Sequence, residues 1–344
     1  MAKIQSRKEA HVRIAAKADS EYLKSAGFEN IEFVHCSLPE IDLRKVSLST
    51  SFLGRKLSSP LAIEGMTGGY PNASKINRRL AQAANGANII FGLGSQRAML
   101  KHPELAKTYK VRDVAPDVFL IGNLGAVQLR EYSPKAIEGM LKTVDANALA
   151  LHLNPLQEAV QPEGDLNWAG VLHQVRLLCD AIDVPVIAKE TGAGISAKVA
   201  LQLKEAGVSA INVSGSGGTS WSRVEYKRGK PVPGFEEWGI PTAISLAQCS
   251  GILPLIASGG IRNGIDAAKS IALGADISGA ARPFLISKNP LSLIREWEMQ
   301  LRTAMFLTGS KDIAALKRAP ITITGRIADS LSAMGLSVVS YFRR

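Results

Sequence analysis

His152, Asn154, Gln157 and Glu158 fall within one seven-residue stretch, His152-Leu153-Asn154-Pro155-Leu156-Gln157-Glu158. An imidazole can carry a proton or donate a hydrogen bond, the two amides can orient a polar ligand, and the carboxylate can hold a hard cation. The apolar run before them, Asn147-Ala148-Leu149-Ala150-Leu151, reads as a buried strand, so the cluster sits at that strand's C-terminal end. In α/β folds this is the end at which ligands bind. Pro155 prevents the strand from continuing and turns the following amide and carboxylate back over the site. His152 and Asn154 are two residues apart, so on strand spacing their side chains point together.

Other strand ends add to this set. Lys189 closes the apolar run Pro185–Lys189, where an ammonium is costly unless it meets an anion or works as a Schiff-base amine. Glu190 beside it offers an ion pair. Thr67, Ser95, Asn123, Ser214 and Thr219 are polar residues that follow further apolar runs. Two small-residue loops, Ser258-Gly259-Gly260-Ile261-Arg262-Asn263-Gly264 and Gly279-Ala280-Ala281-Arg282, let backbone N–H groups approach phosphate oxygens at a helix N-terminus. Together these residues would edge a flat, hydrogen-bonding ligand that carries a phosphate, which describes FMN. A lysine near the N1/O2 edge would stabilise the negative charge of a reduced flavin. Gly192-Ala193-Gly194-Ile195-Ser196-Ala197 imitates a dinucleotide fingerprint, but the next strand ends in Asn212-Val213-Ser214-Gly215 with no acidic residue for a ribose. That assignment is rejected.

The elements that must position these groups are legible from periodicity. Eight short apolar runs, each followed by a tight turn and mostly by an amphipathic stretch, lie at Leu61–Glu64, Asn88–Phe91, Val118–Ile121, Ala148–His152, Pro185–Lys189, Ala210–Ser214, Ile252–Ala257 and Asp276–Gly279. Strands alternating with helices imply a parallel sheet, and eight units fit a closed (β/α)8 TIM barrel, with an open doubly wound sheet as the runner-up. The spacing predicts a barrel over 59–344 and an N-terminal extension over 1–58. In the extension a helix is expected over Gln5–Lys17, continued by Tyr22–Ala26 up to Gly27, and a hairpin of Val46–Thr50 and Ser51–Leu57 around Gly54. The tail Leu291–Lys317 reads as helix. The chain has 344 residues, 46% of them hydrophobic, enough for such a core. No apolar run reaches membrane length, no secretory leader is apparent, and the three scattered cysteines suggest a reducing cytoplasmic setting. The net charge of +11 is spread along the chain rather than gathered in a stripe, which favours small anionic ligands over nucleic acid.

Taken in order, Arg7-Lys8-x-x-His11, Met66-Thr67-Gly68-Gly69, Gly94-Ser95-Gln96-Arg97, His152-x-Asn154-x-x-Gln157-Glu158, Lys189-Glu190, Ser214-Gly215-Ser216-Gly217-Gly218-Thr219-Ser220-Trp221 and Ser258-Gly259-Gly260-Ile261-Arg262 resemble type 2 isopentenyl diphosphate isomerase from about residue 5 to 310. The loops Ser258–Gly264 and Gly279–Arg282 also resemble those of flavin-dependent α-hydroxy acid oxidases, the alternative reading. Those enzymes carry an Asn-His-Gly-Gly-Arg run where this chain has Ser214–Gly218, so the oxidase's base and carboxylate-binding positions are missing. The resemblance implies interconversion of isopentenyl and dimethylallyl diphosphate in isoprenoid biosynthesis, with FMN, a reductant such as NADPH, and Mg2+. Reduced flavin is expected to supply the acid/base groups. The resemblance further implies a flavin site of Gly65, Met66, Thr67, Ser95, Asn123, Lys189, Ser214, Thr219, Gly259, Gly260, Ile261, Ala280 and Ala281. Arg7, Lys8, His11, Ser95, Arg97, His152, Asn154 and Gln157 are expected to bind the diphosphate substrate, and Glu158 to bind Mg2+. Gln157 and Lys189 are the expected catalytic residues, with Trp221 and Glu225 lining the flavin and alkene. A homo-oligomer, tetramer or octamer, is also expected.

Overall fold

The computed structural model describes residues 2–229 and 232–342, and for residues 2–7 and 18 the backbone alone. The chain opens with α1 (Ala2–Ala15), then β1 (Ile31–Phe33) and a hairpin of β2 (Thr50–Phe52) and β3 (Arg55–Leu57). Eight strands follow: β4 (Leu61–Ile63), β5 (Ile90–Gly92), β6 (Phe119–Gly125), β7 (Ala148–Leu153), β8 (Val186–Glu190), β9 (Ala210–Asn212), β10 (Leu255–Ala257) and β11 (Ile277–Ala280). They pair in parallel in sequence order and β11 returns to β4, closing the (β/α)8 barrel. Between and after them lie α2 (Ala73–Ala87), α3 (Arg97–Lys101), α4 (Pro134–Val144), α5 (Pro155–Val160), α6 (Val171–Ala181), α7 (Ala197–Glu205), α8 (Trp221–Arg228), α9 (Thr242–Cys249), α10 (Gly264–Ala272), α11 (Arg282–Ile286) and α12 (Pro290–Leu307). A last strand, β12 (Ile321–Ile323), pairs antiparallel with β1. No helix among the described residues is long and apolar enough to cross a membrane.

Strand alternation sorts the side chains. Ala62, Ile90, Ile121, Ala150, Ile187, Ala210, Ile256 and Ile277 fill the barrel interior, where Phe52 and Leu57 of the hairpin join them. Their neighbours Ile63, Phe91, Leu120, Leu149, Leu151, Ala188 and Ile211 face outward to the helices. One pleat further along, the inward positions become polar: Glu64, Asn123, His152, Lys189 and Asn212. Pairing sets His152 beside Lys189 and Gly125 beside His152.

Four local expectations are corrected. Tyr22–Ala26 is not helical: α1 stops at Ala15, a short turn covers Ala18–Ser20, and Glu21 instead bridges to Thr219. Tyr22 is buried, donating through its hydroxyl to Trp238 O at 2.9 Å, so tertiary packing overrides a helical pattern too short to stand alone. The hairpin strands are shorter than read, and Leu53-Gly54 makes the turn with both residues at positive φ. The tail helix breaks after Leu307, where Gly309 takes φ 67°, and resumes only at Ile313. Finally, β6 runs to Gly125, which places Asn123 within the strand rather than after it.

Candidate active site

The polar strand ends open into a cavity of about 870 Å³ at the C-terminal mouth of the barrel. The predicted flavin, substrate and metal residues whose side chains are described all line it, from Lys8 and His11 through Gly65, Met66, Thr67, Ser95, Arg97, Asn123, His152, Asn154, Gln157, Glu158, Lys189, Ser214 and Thr219 to Gly259, Gly260, Ile261, Ala280 and Ala281. The side chain of Arg7 lies outside the described residues. Trp221 lines the cavity, but Glu225 does not. Its side chain is fully buried behind the wall, where it accepts from Gln157 Nε2 at 3.0 Å and pairs with Arg228. His11 Nε2 approaches the same carboxylate to 2.9 Å, and its ring stands edge-on to Trp221 at 5.3 Å. Burial alone would raise the Glu225 carboxyl, yet His11, Gln157 and Arg228 outweigh it and hold it below the usual carboxylate range.

Two ends of the cavity suit anions. At one, Gly259 and Gly260 adopt φ 94° and 76°, and no hydrogen bond among the described residues takes up the N–H groups of Gly259, Gly260 or Ile261. Ala280 and Ala281 complete that wall, and Arg262 and Arg282 flank it, each paired with Glu21 at 3.0 and 3.1 Å. At the other, Lys8 Nζ donates to Ser95 O at 2.6 Å and to Tyr109 Oη at 3.0 Å. Arg97, at the start of α3, meets Glu131 at 2.6 Å and Asp165 at 2.7 Å. His152 Nδ1 lies 2.7 Å from Asn123 Oδ1, an acceptor, so Nδ1 carries the proton. Burial, reinforced by Lys189, Lys8 and Arg97, pushes its pKa down to about 3, leaving a neutral ring with a lone pair at Nε2.

Asn154 stands at the N-cap position of α5 without a side-chain capping bond and Pro155 occupies the first turn, so strand end and helix start coincide and Gln157 and Glu158 swing inward. Glu158 accepts from Asn154 Nδ2 at 2.8 Å, from Asp165 N at 2.7 Å and from Gln161 Nε2. Asn154 Oδ1 is buried with no partner in the structure. Among the described residues no group of three or more His, Cys, Asp and Glu gathers for a metal.

The floor holds the residues the sequence reading missed. Lys189 pairs with Glu64 at 3.4 Å, and the ion pair that neighbouring Glu190 offered in the sequence is not formed. Glu190 turns away and accepts the N–H groups of Thr191 and Gly192 at 2.6 Å, and that of Ala193. The imitation dinucleotide loop therefore has its amides already occupied by a carboxylate. Burial raises Glu190 to about 7 despite these bonds. Asn212, Arg262 and Arg282 were also unassigned. The arginines follow directly on the small-residue runs Gly259-Gly260-Ile261 and Gly279-Ala280-Ala281, a signal that could have found them.

The model of the family "FMN-dependent dehydrogenase" matches residues 131–323 of this parallel barrel, more than half of the chain, which gives its class. The lactate oxidase of Pediococcus acidilactici shares the fold, with a TM-score of 0.69 at 18% identity over 94% of both chains. Sequence likeness is narrower. The chain is 47% identical to an isopentenyl-diphosphate delta-isomerase of Methanothermobacter thermautotrophicus, over 99% of each chain. It is 48% identical to that of Pyrococcus furiosus, over 94% of this chain and 88% of the relative. The chain belongs to the isopentenyl-diphosphate delta-isomerase family.

Proposed function

We propose that this chain interconverts isopentenyl and dimethylallyl diphosphate, with FMN in the cavity and residues 1–58 capping a barrel of residues 59–344. The observation that supports the reading is one cavity with two separate ends, one lined by unbonded loop amides and the other by basic and amide side chains. The free amides of Gly259, Gly260 and Ile261 suit the FMN phosphate, and the group around Lys8, Arg97, His152 and Asn154 suits a diphosphate. The α-hydroxy acid oxidase alternative requires a base and an arginine on the loop after β9, where this chain has Ser214–Gly218.

When bound and reduced, the flavin would supply the acid and base for a redox-neutral proton shift across the alkene, with NADPH as the proposed electron source. Protonation of such an alkene builds a tertiary cation, so the walls must exclude water and present no strong nucleophile. Gln157, with its amide NH2 held by Glu225 and its Oε1 accepting from Asn154 Nδ2 at 3.3 Å, is placed to orient the proton without itself adding to the cation. Neutral His152 can accept from, or order, a protonated phosphate group without adding charge. Mg2+ fits Glu158 and the unpartnered Asn154 Oδ1: both are hard oxygen donors, and three of about four carboxylate acceptor sites are in use. There the ion would neutralise diphosphate charge. The proposal extends, on family resemblance, to a cytoplasmic homo-oligomer, tetramer or octamer.

The test is an anaerobic assay of the purified, yellow protein. Pre-reduced enzyme with Mg2+ should convert isopentenyl to dimethylallyl diphosphate, and lactate should not bleach the oxidised form. A colourless protein that cannot take up FMN, or bleaching by hydroxy acids without isomerisation, overturns the reading.

A further inference from the structure

On the floor of the cavity, a short polar chain crosses the barrel. Ser258 Oγ donates to Asn212 Oδ1 at 2.6 Å, and Asn212 Nδ2 donates to Glu64 Oε1 at 2.7 Å. Glu64 Oε2 then faces Lys189 Nζ at 3.4 Å. Both carboxylate oxygens thus meet donors, an arrangement that only the ionised acid satisfies in full. The lysine is held on a second side by Glu190 O at 3.1 Å. Gly279 of β11 makes the room: a Cβ there would lie 2.5 Å from Glu64 Oε1. Both charged side chains line the large cavity and are otherwise nearly buried, with 10% and 11% of their surfaces exposed.

We infer that Glu64 is a positioning and charge-balancing residue for the cofactor: it fixes the Lys189 ammonium and cancels part of its field at the flavin. The inference rests on the reading that FMN occupies this cavity with its electronegative edge toward Lys189. An unpaired ammonium there would favour the electron-rich reduced flavin strongly. A carboxylate 3.4 Å behind it leaves a dipole instead of a net charge, and so moderates that preference. Asn212 and Ser258 hold the carboxylate in place, and the absent Cβ at residue 279 lets it fit. The effect of Glu64 passes through Lys189.

The experiment measures the two-electron midpoint potential of bound FMN by dye equilibration in the holoenzyme, with flavin stoichiometry from absorbance. Glu64→Gln keeps the shape and the acceptor for Asn212 and removes the charge. It should raise the potential by about 30 mV, the equivalent of holding reduced flavin roughly tenfold more tightly relative to oxidised. Glu64→Asp, which retains the charge, should restore most of the wild-type value, and Lys189→Met should shift the potential downward. Should Glu64→Gln disturb folding, Glu64→Ser, with space for a water, carries the same expectation. Fully loaded charge-removing variants at the wild-type potential would overturn the inference, whereas a wild-type protein that binds no FMN would overturn the functional reading instead.

Discussion

Glu225 takes Gln157, His11 and Arg228 on one buried carboxylate, so the orientation of Gln157 depends on a residue that never faces the cavity. Removing Gln157 should leave flavin content unchanged and lower kcat by about two to three orders of magnitude, the range for a positioned proton-transfer group. Glu225→Gln should lower kcat by releasing the Gln157 amide, and the double variant should be little worse than Gln157→Ala alone, because both changes break one unit. Additive losses in that cycle would separate the two residues. At this scale sequence spacing disclosed much: His152, Asn154, Gln157 and Glu158 stand close in the chain and turn into one wall. Glu64 escaped because its neighbours Leu61-Ala62-Ile63 read as an ordinary buried strand, and nothing local signals that its partner lies 125 positions away at Lys189.

The strand-seven loop shows how an element prepares a site before any ligand arrives. Gly259 at φ 94° turns its backbone against the loop after β9, and a Cβ there would meet Gly215 O at 2.1 Å. That neighbour is backbone and cannot swing aside. Gly259→Ala should therefore displace the loop, at a cost of about 1–2 kcal/mol for the left-handed backbone alone, and weaken FMN affinity at least tenfold while far-UV circular dichroism stays native. An unchanged flavin Kd in the folded variant, measured by fluorescence quenching, would remove this loop from the phosphate site. The loop and all eight barrel strands were legible because alternating apolar runs and glycine turns are local signals. The non-helical path of Tyr22–Ala26 was not, since Tyr22 is fixed by Trp238 and Leu23 N by Glu237, more than 200 residues distant. The role of Glu21, which holds both Arg262 and Arg282, was hidden for the same reason.

At the scale of the whole molecule, the imidazole and the carboxyl that shift furthest, His152 and Glu190, move in opposing senses. His152 falls from 6.5 to about 3, so the unfolded chain takes up a proton that the folded one refuses, and the stability present above pH 6.5 drains as pH falls toward 3. Glu190 rises from 4.5 to about 7, so its contribution is complete below pH 4.5 and is lost as pH climbs through 7. Between pH 4.5 and 6.5 these two contributions oppose each other, and below pH 4.5 only the loss from His152 continues. Glu190→Gln isolates one slope, because glutamine imitates the protonated acid at every pH and can still accept from the Thr191–Ala193 amides. Its Tm relative to wild type should climb from pH 4.5 to 7 and then level, as the wild-type carboxyl ionises in its buried site while the variant has nothing to ionise. Calorimetry in buffers of matched ionic strength reads that difference directly, with all other titrating groups cancelling between the two proteins. A Tm offset independent of pH would mean that the loop amides stabilise the Glu190 carboxylate enough to offset its burial.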